Sequence, residues 1–261
     1  MKITRKDFLR LSGLSILAAG AVRAYEAARA AGETAKRAIG GASSGTQKKQ
    51  YAMAIDLRKC RERPDCEICM KACRTAHNVP VIPDPRHEVK WIWNAPFAEV
   101  FPVAQSAYTR RNYTASPLPV LCNHCDQPPC VEVCPTGATW KRAEDGIVMM
   151  DWHRCIGCKY CMVACPYEAR SFNFVDPRNY LEHVNPGFPT RSMGVVEKCD
   201  FCAERLAVGK PPACAEACPA NAIAFGDLAD PSSPVSQALG ASFSIGRKPE
   251  LGTGPNIYYL V

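Results

Sequence analysis

The run CIGCKYCMVACP, Cys155 to Pro166, sets four thiols at gaps of two, two and three residues and closes them with a proline. Three cysteines at this spacing fit on one tight loop, where their sulfurs converge on a small cluster of iron and sulfide and the backbone amides tune it. The fourth, placed on the helix that follows, faces away and is free to ligate a neighbouring cluster. Each such quartet therefore needs a partner quartet elsewhere in the chain.

The 261-residue chain supplies three more. CNHCDQPPCVEVCP, Cys122 to Pro135, widens the second gap to four residues and stiffens it with Pro128-Pro129. CDFCAERLAVGKPPACAEACP, Cys199 to Pro219, widens the same gap to eleven. The first group, CRERPDCEICMKAC, departs further: five residues, Arg61 to Asp65, stand between Cys60 and Cys66 where two are expected, and no proline follows Cys73. All 16 cysteines fall into these groups: Cys60, Cys66, Cys69, Cys73; Cys122, Cys125, Cys130, Cys134; Cys155, Cys158, Cys161, Cys165; and Cys199, Cys202, Cys214, Cys218. The third group matches the bacterial ferredoxin run C-x-x-C-x-x-C-x-x-x-C-P at every position.

Other uses of these thiols fit the spacing less well. Eight disulfides would suit an exported chain, but cysteines three and four residues apart with trailing prolines suit a cluster better. Structural zinc uses C-x-x-C pairs, yet runs of three closely spaced cysteines are not zinc-ribbon spacing. Clusters or zinc that merely hold a fold would make the chain a metal-stabilised, non-redox binding module. His77 follows the first group and His124 lies inside the second, where each either tunes a cluster by hydrogen bonding or simply packs. No Ser/His/Asp set, Gly-rich phosphate loop or catalytic carboxylate pair stands out, so the chain offers no catalytic substrate site of its own.

The net charge is +7, but the first thirty residues hold six Lys/Arg against Asp7 and Glu26, which leaves +3 for the rest. Four oxidised clusters, each about −2 with its thiolates, would bring the loaded chain to roughly −5, so the basic pI is no signal for nucleic acid. The opening MKITRKDFLRLSGLSILAAGAVRAYEAARAAG has a basic head, an apolar-leaning run from Leu11 to Val22, and Ala28-Arg29-Ala30 as a cleavage site. That run is too short and too polar to span a bilayer comfortably. TRKDFLR, Thr4 to Arg10, is similar to a twin-arginine export signal, with Lys6 in place of the second arginine. Export by that route carries proteins already folded, so clusters inserted in the reducing cytoplasm reach an oxidising periplasm intact.

Groups two to four taken together, in CNHCDQPPC, CIGCKYCMVACPYEAR and KCDFC with GKPPACAEACP, closely resemble the four-cluster electron-transfer subunits of the DMSO-reductase B-subunit and NrfC family. The resemblance runs from about Tyr51 to Val261 and includes the ending GTGPNIYYLV. It implies four 4Fe-4S clusters, with the motifs paired first with fourth and second with third. Carried onto this chain, Cys122, Cys125, Cys130 and Cys165 would hold one cluster, and Cys155, Cys158, Cys161 and Cys134 its neighbour. Cys199, Cys202, Cys214 and Cys73 would hold a third, and Cys60, Cys66, Cys69 and Cys218 the fourth. Within the family, the leader and the segment AHNVPVIPDPRHEVKWIW look most like the DsrO-type periplasmic subunits of Dsr membrane complexes. That implies a seat on an NrfD-type integral membrane subunit that reacts with menaquinol, near a multihaem cytochrome c and other Dsr complex subunits, in sulfite and sulfur metabolism. The alternative is the electron-transfer B-subunit of an exported molybdopterin oxidoreductase of the tetrathionate or polysulfide reductase type, partnered by a molybdopterin catalytic subunit.

The expected class is α+β, with two pseudo-symmetric bacterial-ferredoxin-like units, a loop-rich insertion and a C-terminal tail. Residues 1–30 are the export signal and 31–50 a flexible linker. Residues 51–80 with 193–230 form one unit, carrying groups one and four, and 119–176 the other, carrying groups two and three. The insertion spans 81–118 and the connection between units 177–192. YAMAIDL suits a short strand, and Asp145-Gly146 in ATWKRAEDGIVMMD suits a hairpin turn. In the insertion, Trp91, Trp93, Phe97 and Phe101 form either a local core or a partner-docking face. Residues 231–261, without cysteine, are expected to close irregularly over the surface.

Overall fold

Elements are short and separated by long irregular loops, because much of the chain is committed to wrapping its cysteines. The computed structural model describes residues 48–63, 65–102, 113 and 117–261; the expected export signal, the expected linker up to residue 47 and Pro64 lie outside them. In chain order, β1 (Tyr51–Asp56) leads through α1 (Leu57–Arg61) to α2 (Ile68–His77), followed by β2 (Ile92–Ala95), α3 (Phe97–Val100) and β3 (Leu118–Leu121). Next come α4 (Pro129–Glu132), β4 (Thr139–Lys141), β5 (Val148–Met150), α5 (Tyr160–Ala164) and β6 (Ser171–Phe172). The chain ends with β7 (Val196–Glu197), α6 (Ala203–Ala207), α7 (Ala213–Glu216), β8 (Ile223–Asp227), α8 (Pro234–Ala241), β9 (Ser244–Gly246) and β10 (Ile257–Leu260).

The expected strand in YAMAIDL is β1, and it is buried on both faces. It lies inside a four-stranded sheet of order β8-β1-β10-β9, antiparallel to β8 and parallel to β10. Alternation sorts its side chains: Met53 and Ile55 join Ile257 and Tyr259 in the main core, while Ala52 and Ala54 face Val235 of α8. The small alanines let α8 lie close against the strand. Ser233 caps α8 by accepting from the Ser236 N–H at 3.3 Å, and its hydroxyl donates to the Asp227 carbonyl at 2.7 Å, tying the helix to the end of β8.

The C-terminal residues depart from expectation. Residues 257–260 are not an irregular surface covering but an interior strand, with Ile257 and Tyr259 fully buried. A parallel pairing across some 200 residues of chain leaves no local turn signal in the sequence, which is why IYYL reads as a surface ending.

Three two-stranded ribbons, β2-β3, β4-β5 and β6-β7, complete the sheet structure of the described residues. The expected hairpin is β4-β5, turning at Gly146 with φ +77° and braced by the Asp145 carboxylate, which accepts from the Ile147 N–H at 3.1 Å. In the insertion, Trp91, Phe97 and Phe101 belong to the main core, Trp93 packs against it, and Phe101 meets Tyr259 edge-on at 5.2 Å. Of the two readings of these aromatics, core packing is the one the structure adopts.

A buried ion pair ties several of these parts together. Arg191 and Glu197, both without exposed side-chain surface, pair at 2.6 Å. Glu197 also accepts from the Trp91 indole at 3.0 Å and from the Asn173 amide, and Arg191 donates to the Asn78 carbonyl at 2.8 Å. No helix among the described residues is long and apolar enough to cross a membrane.

Candidate iron–sulfur site

Three of the four closing cysteines sit where a helix is stopped. Cys134, Cys165 and Cys218 lie just beyond α4, α5 and α7, and each is followed by proline. Proline has no N–H to continue a helix and biases the preceding residue toward extended backbone, as at Cys165 with φ −81° and ψ 109°. Cys73, which lacks the proline, instead lies inside α2, and that helix runs on to His77. The same sequence difference therefore places this one thiol on a helix face.

The loops bring thiols of different groups together. Cys60 has Cys218, Cys69 and Cys66 around it, and these four thiols line an opening together with Lys59 and Arg63. Cys73 faces Cys199, Cys214 and Cys202. Cys125 faces Cys122, Cys130 and Cys165. Cys161 has Cys130 and Cys155 beside it, and Cys134 packs in the same small apolar cluster. Cys158 lies exposed on that loop. Sets also meet one another: Cys161 approaches Cys130, Cys122 approaches Cys199, and Cys214 approaches Cys69.

The donor chemistry fits iron. All sixteen cysteines are free thiols. Burial, reinforced by the neighbouring sulfurs, pushes Cys60 and Cys125 up to about 12 and Cys69 up to about 11, so thiolates at these positions require a positive centre between them. Backbone amides already point at sulfur: Phe201 N–H to Cys199 Sγ at 3.5 Å, Ala213 N–H to Cys202 Sγ at 3.4 Å and Ala222 N–H to Cys218 Sγ at 3.3 Å. At Cys134 burial also acts upward, but amides of Thr136, Ala138 and Thr139 and the Thr136 hydroxyl outweigh it and bring the thiol below its usual value.

Four groups around the thiols were not legible as site residues. Arg170 is buried and donates to Cys130 Sγ at 3.0 Å and Thr139 Oγ1 at 2.8 Å. Lys198 is buried with its ammonium donating to the carbonyls of Val148 and Cys199. Asp200 accepts from the Cys202 N–H at 2.8 Å, and Glu204 reaches the His77 ring at 3.0 Å. Only the position of each between or beside cysteines hinted at a role, since polar residues in such loops are ordinarily solvated.

Both singled-out histidines are fully buried. His77 lies between Trp91, stacked at 4.8 Å, and Phe188, edge-on at 4.7 Å, with Nδ1 3.1 Å from the Cys73 carbonyl. His124 stacks on Phe201 at 3.7 Å and accepts the Val148 N–H on Nδ1 at 3.1 Å, which places its proton on Nε2. Burial, then the charges of Lys198 and Arg170, hold it well below the usual histidine range, so it is a neutral ring.

The 4Fe-4S dicluster domain family matches residues 114–177 and 186–228. The chain is 38% identical to the Hdr-like menaquinol oxidoreductase iron-sulfur subunit 1 of Archaeoglobus fulgidus, across 98% of this chain and 97% of that one. It is 38% identical to Protein NrfC of Escherichia coli, across 80% and 79% of the two chains. It is 36% identical to the B-subunit of the Salmonella typhimurium tetrathionate reductase, across 83% and 74%. With its cysteines grouped as described and these relatives aligned over most of its length, the chain belongs to the family of 4Fe-4S iron–sulfur electron-transfer subunits that includes these three proteins.

Proposed function

We propose that this protein is a relay subunit holding four 4Fe-4S clusters, ligated by the four mixed sets: Cys155, Cys158, Cys161 and Cys134; Cys122, Cys125, Cys130 and Cys165; Cys199, Cys202, Cys214 and Cys73; and Cys60, Cys66, Cys69 and Cys218. The observation that carries this reading is the contiguity of the sets, through Cys161 and Cys130, Cys122 and Cys199, and Cys214 and Cys69. Each cluster, when bound, takes up and releases one electron. The chain's own contribution is to hold the thiolates, exclude water around the inner sets and leave the two end sets nearer the surface, where Cys158 is exposed and the opening beside Cys60 lies. The stacked pair His124 and Phe201, at equivalent places in groups two and four, supports a pseudo-symmetric relation between two ferredoxin-like units.

The partners on this reading are an NrfD-type, menaquinol-reactive membrane subunit and a multihaem cytochrome c of a Dsr-type complex on the periplasmic side, reached by twin-arginine export. The relative named as a menaquinol oxidoreductase subunit supports the quinol link. A second reading, the electron-transfer partner of an exported molybdopterin reductase, is favoured by the likeness to the tetrathionate reductase chain. Anaerobic purification from the native host tests both. Roughly 16 iron and 16 sulfide per chain, with four centres titrating by EPR, is the expected result; zinc with no visible absorbance rejects the relay. Co-purifying cytochrome c supports the Dsr-type assembly, and a molybdopterin subunit in its place supports the second reading.

A further inference from the structure

We propose that Arg170 is a positioning residue that raises the reduction potential of the two clusters held by groups two and three; the inference rests on the four-cluster reading above. Arg170 closes the run CPYEAR just past the third group and is 4% exposed. Its Nη2 donates to Cys130 Sγ at 3.0 Å and to Thr139 Oγ1 at 2.8 Å, while Nη1 faces Met150 Sδ at 3.8 Å. None of these partners is an acid. Burial works against its charge, and Cys130, Cys161 and Cys122 outweigh that burial. Cys130 belongs to one set and Cys161 to the next, so the guanidinium stands between two proposed clusters and has their sulfurs for counter-charge.

A buried cation without a counter-charge is costly, and Arg191, whose side chain has no exposed surface, is paired with Glu197. Among the described residues no arginine or lysine is hydrogen-bonded to a cysteine sulfur of group one or four; Lys198, the buried cation beside Cys199, gives its protons to the Val148 and Cys199 carbonyls instead. When a 4Fe-4S centre gains one electron, its iron–sulfide core passes from 2+ to 1+, and with four thiolates the site passes from −2 to −3; no bond is made or broken. A fixed positive charge on the ligand sulfur stabilises the more negative state and so raises the potential. The charge of Arg170 therefore favours an electron on the half of the row that holds groups two and three.

The test is an EPR-monitored redox titration of the full chain, purified anaerobically, as wild type, Arg170→Gln and Arg170→Lys, with iron and sulfide measured on each. Arg170→Gln is expected to keep its iron and to lower the potential of two centres while leaving the other two in place. An opposite charge at contact shifts a protonation equilibrium by roughly one unit or more; the same field should shift each reduction equilibrium about tenfold, or ~59 mV for one electron. Arg170→Lys should restore most of that shift. Full iron with unchanged potentials, or all four centres moving together, overturns the proposal. If Arg170→Gln fails to hold iron, Arg170→Lys decides: full iron with potentials near wild type supports the charge, and lost iron or shifted potentials overturns it. A wild-type chain with fewer than four centres would instead fail the four-cluster reading.

Discussion

In groups two, three and four the residue just before the second cysteine is left-handed: His124 at φ +44°, Gly157 at φ +70° and Phe201 at φ +58°. That turn aims the loop amides inward, and only one of the three is the glycine that adopts it freely. His124 and Phe201 carry a strain of order 1–3 kcal/mol each and are held in it by stacking on one another. Gly157 has a second constraint, since a Cβ there would lie 2.5 Å from the Gly194 carbonyl oxygen, a backbone atom that cannot swing aside. Any side chain at this point is thus disruptive: Gly157→Ala should cost about 2 kcal/mol or more and weaken cluster retention at group three, seen as a lower unfolding midpoint and fewer irons per chain. Cys60, set apart from Cys66 by five residues in place of two, sits on α1 beside Cys218, Cys69 and Cys66. On the proposed four-cluster reading, Cys60→Ala should lower iron from roughly 16 to roughly 12 per chain with loss of one EPR centre; unchanged iron and spectra would show that another residue completes that site.

Elements in this protein are placed by what ends them and by what they bury. Pro135, Pro166 and Pro219 stop α4, α5 and α7 at the closing cysteine, whereas α2 continues and ends at Asn78, left-handed at φ +52°. The Asn78 amide then donates to the Asn185 and Phe188 carbonyls at 3.0 and 2.6 Å, fastening α2 to the 177–192 connection. Arg191, Glu197 and Trp91 extend that fastening to β7 and to the insertion. Arg191→Met removes one partner and leaves Glu197 buried and uncompensated, so a loss of about 3–5 kcal/mol is expected, read as a fall in the urea midpoint. The double replacement Arg191→Met with Glu197→Leu should recover part of that loss, because both charges then leave the core together. A midpoint unmoved by Arg191→Met would show that water reaches Glu197.

At the scale of the whole molecule, the C-terminal strand closes the fold. β10 supplies Ile257 and Tyr259 to the main core and lies between β1 and β9, so removing residues 257–261 would expose the edges of both neighbours. The truncated chain should accumulate as insoluble, iron-poor protein. Soluble chain with a full complement of iron would show that the sheet tolerates its loss. Tyr259 also donates its hydroxyl to the Pro119 carbonyl at 3.2 Å, which ties the last strand to β3 and thereby to the start of the second cysteine group.

The cysteine positions, their grouping in fours, the hairpin at Asp145-Gly146 and the strand in YAMAIDL are determined by the sequence itself, because cluster loops, turns and alternating strands leave their mark within a few neighbouring residues. The family resemblance followed from the same local spacings. Other features depend on residues far apart in the chain: the parallel pairing of β1 with β10, the core role of Trp91, Phe97 and Phe101, the Arg191 and Glu197 pair, and Arg170 on the sulfur of Cys130. A strand does not announce a parallel partner some 200 residues away, and a charged side chain shows no sign in sequence of whether it meets water or a buried counter-charge. Only the tertiary structure decided those, since burial and the company a charge keeps are properties of the packed chain.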